Sequence, residues 1–197
     1  MILFLDFDGV LHPDAAYLEK GRGPVLRAEG ELFMWAPLLV AALSPYVGVK
    51  IVLSTSWVRA LGFSRACRYL PPELRERVIG ATWHSSMNGL ASTFDWDNVT
   101  RYQQIARYVA SATLEKWIAL DDDGEGWAPS ASERLVLCDG WQGLSNPDTL
   151  TALDAALRRG GARRDIAKSE WWHQMIANMK RMATDEGYRR EIAKRIF

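Results

Sequence analysis

The first eleven residues, MILFLDFDGVL, constrain this chain most, because an unbroken apolar run leads straight into two acids and a glycine. Ile2 to Leu5 carry no polar residue, as expected of a central strand covered on both faces in a parallel sheet. Asp6 and Asp8 fall where that strand ends, and open α/β sheets bind ligands at the carboxyl ends of their strands. Gly9 lets the chain turn sharply there. Taken alone, the motif also fits a buried strand followed by two solvated turn aspartates, so the rest of the chain has to decide.

Further strands follow at regular intervals. Residues 12–34 are rich in Pro and Gly and read as a short hairpin flap. Ala36 to Leu43 read as a helix with Pro37 in its first turn, followed by a strand over Val49 to Leu53 that ends at Ser54-Thr55-Ser56. Ser56 is the expected N-cap of one helix running to Pro71, and Pro72 opens a shorter helix before a third strand over Val78 to Trp83. Residues 84–98 read as a loop, and Thr100 to Gln103 as a capping box opening a helix with Ile105, Tyr108, Val109 and Ala112 at helical spacing. Trp117 to Leu120 lead into Asp121-Asp122-Asp123-Gly124, Leu135 to Cys138 into Asp139-Gly140, and a last helix spans Pro147 to Leu157. Strands alternating with helices predict five parallel strands in a Rossmann-like layer flanked by helices.

Composition adds limits. With 197 residues and 48% hydrophobic side chains, the chain suits one ordinary domain with an appendage, here divided as residues 1–157 and a basic helical extension over 158–197. Cys67 and Cys138 are too few for a disulfide scaffold and lie beside apolar stretches, as buried free thiols would. The residues before Asp6 contain no basic segment and too few apolar residues for a signal peptide or a membrane span, which leaves the cytoplasm as the expected compartment. Net charge is zero but unevenly spread: residues 158–197 hold eleven Lys/Arg against five Asp/Glu, a balance of +6, and the remainder carries −6. Such asymmetry predicts an arm that meets an anionic partner or docks on its own acidic domain.

Four strand ends carry polar residues in a matching place: Asp6/Asp8, Ser54, Asp121/Asp122 and Asp139. Together with Arg101 at a helix start, their order resembles the motifs of the haloacid dehalogenase (HAD) superfamily, mostly magnesium-dependent phosphatases, over residues 1–157. The resemblance implies that Asp6 is a nucleophile forming an aspartyl-phosphate and that Asp8 is the general acid/base. An acid at position 8 favours a phosphatase or phosphotransferase over the dehalogenase and ATPase branches of the superfamily. Ser54 would donate to a phosphoryl oxygen, and Arg101, whose charge opposes the helix dipole unless an anion sits beside it, would hold the same group. Converging carboxylates repel unless a hard cation lies between them, and Mg²⁺ suits oxygen-rich sites. Its ligands by resemblance are Asp6, the Asp8 carbonyl and one of the competing pair Asp121 and Asp122.

Alternatives stand beside several of these readings. Ser54 also fits a helix cap, Arg101 a solvated surface residue, and His12 either a substrate contact from the flap or turn packing. Thr55 and Trp57, which follow the second motif, are further candidate substrate-binding residues, with Trp57 read as either lining the substrate site or packing into the core. Asp123 reads as a turn residue, and Asp139 as a residue that structures its loop. In this superfamily small metabolites usually require a cap domain, for which residues 12–34 and the stretch between Ser54 and Arg101 leave little room. An open site resembles those of members acting on polynucleotide or protein substrates, and nucleic-acid ends are the favoured substrate. A small-metabolite or phosphoprotein phosphatase and a non-catalytic binding module are the alternatives. In the extension, Trp172, Met175, Ile176, Met179 and Ala183 make one helical stripe, and Tyr188, Ile192 and Ile196 begin another. Lys180, Arg181, Arg189, Arg190, Lys194 and Arg195 lie off both stripes. This pattern fits docking on the sheet domain, attachment to anionic lipid, or docking that leaves the basic residues to hold a polyanion.

Overall fold

The computed structural model describes residues 1–84 and 98–186, so most of the loop read at 84–98, and Tyr188 to Ile196 of the extension, lie outside the described residues. Strands β1 (Ile2–Leu5), β4 (Lys50–Leu53), β5 (Val78–Ala81), β6 (Trp117–Asp121) and β7 (Leu135–Leu137) form one parallel sheet in the order β5-β4-β1-β6-β7. The expected five-stranded α/β layer is therefore present. β1 lies at its centre, and Leu3, Phe4 and Leu5 are completely buried, which explains why that run carries no polar residue. The expected flap is an antiparallel hairpin of β2 (Ala16–Glu19) and β3 (Gly23–Leu26).

Helices cover both faces. Leu3, Leu5, Ile51 and Leu53 pack in one core with α1 (Ala36–Leu43), α4 (Pro72–Arg75) and α6 (Pro147–Arg159), whereas Phe4, Val52 and Ala119 meet α5 (Arg101–Ser111) in a second. The alternation follows from the period-2 direction of strand side chains. Arg77 donates to the carbonyl of Leu43, an acceptor that the end of α1 leaves open, and to those of Tyr46 and Val49 in the segment that follows.

Two local expectations are corrected. The helix after β4 starts one residue earlier in its cap: Thr55, in extended backbone, accepts the Trp57 N–H at 3.4 Å, so the N-cap of α2 (Ser56–Leu61) is Thr55 and not Ser56. All three residues of Ser54-Thr55-Ser56 are good caps, and the register is decided by Ser54, whose N–H still donates to Leu5 as part of the sheet. The single helix expected to reach Pro71 is instead α2 and α3 (Phe63–Arg68), separated at Gly62, whose φ of +86° ends the first helix.

The extension forms α7 (Ile166–Thr184) and docks on α6, with Trp172 fully buried and Ile176 nearly so, while Met175 and Met179 pack beside them. Truncating a buried Trp costs about 3–5 kcal/mol, so this stripe is a substantial part of the fold. Asp154 of α6 ties the pair together: it accepts from Tyr46 Oη at 2.6 Å and lies 3.2 Å from His173 Nε2. α7 runs antiparallel to α6, because Asp165 N–H donates to Pro45 near the start of β4 while Lys180 Nζ meets Asp148, in the first turn of α6, at 2.7 Å. No helix among the described residues is long and apolar enough to cross a membrane.

Candidate active site

The sheet register brings the polar residues together. Leu5 pairs with Leu53 on one side and Leu120 on the other, so Asp6, Ser54 and Asp121 stand in a row one step beyond, at the carboxyl ends of β1, β4 and β6. Asp6 N–H donates to Leu120 at 3.1 Å and locks the row. Ligand oxygens of Asp6, Asp121 and Asp122 all lie within 4.8 Å of one another. Asp122 is pressed against Gly9, where a Cβ would meet Asp122 Oδ2 at 2.1 Å. Gly9 also has φ +63°, so the glycine of the first motif serves both the turn and the approach of this carboxylate.

Arg101, at the first position of α5 behind its Thr100–Gln103 capping box, reaches back into the crevice. Its Nη2 lies 3.4 Å from Asp6 Oδ2, its Nε 3.2 Å from Asp121 Oδ2, and its Nη1 donates to the Ser54 carbonyl. The Nε contact has the distance of an ion pair but not the alignment of a hydrogen bond, so Asp121 Oδ2 lacks a donor among the described residues. The anion expected beside Arg101 is thus present as two carboxylates.

One guanidinium faces three acids, and the titration of the group reflects that shortfall. Burial pushes Asp6 up, with Arg101 pulling part of the way back. Burial, then Asp6, raises Asp121 well above the ordinary carboxylate range, and burial followed by Asp6 carries Asp122 up to about 7. Burial alone would lower Arg101, but Asp6 and Asp121 outweigh it and keep the guanidinium charged. Asp6 Oδ1 and Asp121 Oδ2 are buried without hydrogen-bond partners among the described residues. Two unpartnered buried oxygens within a group of three carboxylates fit a hard divalent cation.

Asp8 stands apart from that group. His12 Nε2 lies 3.1 Å from its Oδ1, and Trp57 Nε1 donates to its Oδ2 at 2.9 Å. Because the Phe33 N–H points at His12 Nδ1, 3.4 Å away, the ring carries its proton on Nε2 and donates it to Asp8. Phe33 adopts φ +63° at this point, a conformation that costs a non-glycine residue about 1–2 kcal/mol. His12 is wholly buried and Asp8 keeps 20% of its side-chain exposure, against 4% for Asp6 and 1% for Asp121. The sequence left His12 open between substrate contact and turn packing. In the structure it is a buried partner of Asp8, and only the fold of residues 7–12 brings the two together.

Of the remaining candidates, Ser54 Oγ is completely buried and has no hydrogen-bond partner among the described residues, which separates it from the cap that Thr55 provides. Trp57 is 5% exposed, packed edge-on to Phe7 and Phe33, with its indole N–H on Asp8. Asp123 accepts from Glu125 N–H at 2.8 Å, and Asp139 from the Trp141 and Gln142 N–H groups at 3.0 Å, so both shape turns. A cleft of about 370 Å³ runs from Thr55 and Arg101 past Arg59 and Trp83.

A doubly wound parallel sheet with an acidic crevice at its carboxyl edge defines an α/β protein of the HAD class. A family model described as the HAD domain in Swiss Army Knife RNA repair proteins matches residues 2–149, and the chain belongs to that family. No curated protein and no solved structure matches this chain.

Proposed function

We propose that this protein is a Mg²⁺-dependent phosphomonoester hydrolase that removes terminal phosphates from nucleic acid through a phosphorylated Asp6. The observation that carries the reading is the pairing of a buried Asp6 Oδ1 with the Ser54 hydroxyl, both unpartnered among the described residues, and a charged Arg101, beside a separately held Asp8. Membership of a family named for RNA repair proteins supports nucleic-acid ends as the substrate.

The residues divide the chemistry between them. Asp6 attacks phosphorus, and Asp8 gives its proton to the departing ester oxygen. Ser54 Oγ and Arg101 hold the phosphoryl oxygens as charge builds on them, with Arg101 released from part of its bonding to Asp6 and Asp121. Asp8 then takes a proton from water as that water cleaves the phospho-Asp6 bond and frees phosphate. His12 and Trp57 each occupy one oxygen of Asp8 and so fix which way the carboxyl faces. Asp6, Asp121 and Asp122 would hold Mg²⁺, which supplies charge neutralisation for the phosphoryl group when bound. Buried free thiols at Cys67 and Cys138 accord with a reducing, cytoplasmic setting.

Phosphate release from an aryl phosphate, phosphorylated metabolites, phosphopeptides and 5′- or 3′-phosphorylated oligonucleotides, with Mg²⁺ or a chelator, tests the proposal. Mg²⁺-dependent turnover with preference for the oligonucleotides is expected. Folded, Mg²⁺-binding protein with no turnover of any of them would instead indicate a binding module.

A further inference from the structure

We propose that the cleft between the β2–β3 hairpin and helices α2 and α3 seats the leaving group, and that its occupant is the end of a single-stranded polynucleotide. The inference rests on the assignment of Asp8 as the acid. The group that protonates the leaving oxygen must lie on the leaving-group side, so the cavity that Asp8 lines is where the rest of the substrate has to go.

That cavity is small, about 90 Å³, and apolar in character. Asp8 lines it together with Tyr17, Leu18 and Pro24 of the hairpin and Trp57, Ala60 and Leu61 of α2. Pro24 and Leu61 also line a second cleft of about 380 Å³, so the two cavities adjoin. Arg65, Arg68 and Tyr69 border the second cleft. Arg65 and Arg68 are exposed, stand three residues apart on one face of α3, and make no ion pair among the described residues. Tyr69 keeps 38% exposure while its ring stacks on Phe33.

The order of these surfaces matches one kind of ligand. An apolar, aromatic wall beside the acid suits a sugar and base, and two free guanidinium groups further out suit the next backbone phosphates. A phosphorylated metabolite would leave the outer arginines without a partner. The other candidate tracks fit less well. The cleft beside α5 carries Asp123 and Glu125 and is not lined by Asp8, and on α7 the charges of Lys180 and Arg181 face Asp148 and Asp185.

The test compares R65Q/R68Q with wild type, using a terminally phosphorylated single-stranded oligonucleotide and an aryl phosphate. The ratio of their kcat/KM values is read so that any loss of folded protein divides out. A fall of tenfold or more in the oligonucleotide-to-aryl ratio is expected. In the Asp6→Asn background, oligonucleotide binding by fluorescence anisotropy should show a salt slope flatter by about 1.4, for two phosphates at about 0.7 each. R159Q/R163Q, which removes the same charge at the opposite end of the sheet, should change neither quantity. A60F, which fills the inner cavity, should raise KM for a nucleoside monophosphate. An unchanged ratio and salt slope in R65Q/R68Q would overturn the proposal, as would an Arg65/Arg68 dependence confined to phosphopeptides. If wild type hydrolyses nothing, the phosphatase reading fails on its own, and the anisotropy measurement still decides whether the cleft binds the strand.

Discussion

The indole N–H of Trp57 donates to Asp8 Oδ2 at 2.9 Å, across a separation of 49 residues, while His12 occupies the other oxygen of the same carboxylate. The second motif of the sequence therefore positions a side chain of the first. An acid held from both sides can face only one way, and that direction sets where a leaving group can sit.

Replacing Trp57 by Phe keeps the ring in its aromatic cluster and removes the donor, and His12→Ala removes the other. Each should slow hydrolysis of alkyl phosphates by about tenfold or more, a fraction of the 10²–10⁴ typical of a positioned acid. Aryl phosphates, whose leaving groups need little protonation, should be hydrolysed at close to the wild-type rate. Rates across a series of leaving groups check this, and a uniform loss across the series would mean that the two residues serve the fold and not the acid.

The first motif was legible because a strand buried on both faces leaves no position for a polar residue until it ends, so Asp6 marked the strand end by itself. Ser54 and Asp121 were legible for the same reason, and their meeting with Asp6 follows from strand pairing with Leu5. His12 and the Thr55 cap were not. His12 reaches Asp8 through an irregular turn and is fixed by the backbone of Phe33, a contact with no sequence period behind it. The cap among three adjacent hydroxyl residues is chosen by a hydrogen bond to another strand. Gly62 was visible, but whether it interrupts a helix or merely weakens it depends on the φ it adopts.

Asp6, Asp121 and Asp122 are all raised in the folded protein, Asp122 from 3.8 to about 7. Without metal, the folded state binds more protons here than the unfolded chain, so stability from this site should be greatest below about pH 4 and fall as pH rises through about 7. Mg²⁺ favours the ionised carboxylates, and its stabilisation should therefore be larger at pH 8 than at pH 5. Thermal melts in Mg²⁺ and in chelator at both pH values check the sign. Equal Mg²⁺ gains at the two pH values would place the cation away from these acids.

Within the Asp121–Asp123 triplet, Asp122 belongs to the group of three carboxylates and Asp123 shapes the following turn. Asp122→Ala should weaken Mg²⁺ binding by tenfold or more, about 1.4 kcal/mol, and Asp123→Ala should leave it within about twofold. Calorimetric titration of both variants reads the difference, and equal affinities would move the metal site within the triplet.

The most direct measurement is the turnover of a phosphorylated oligonucleotide by Asp6→Asn in saturating Mg²⁺. The amide keeps the shape of the side chain but is a poor nucleophile, so the rate should fall by more than about 10²-fold in a protein that melts cooperatively like the wild type. A variant that keeps more than about 1% of the wild-type rate would show that Asp6 does not attack phosphorus.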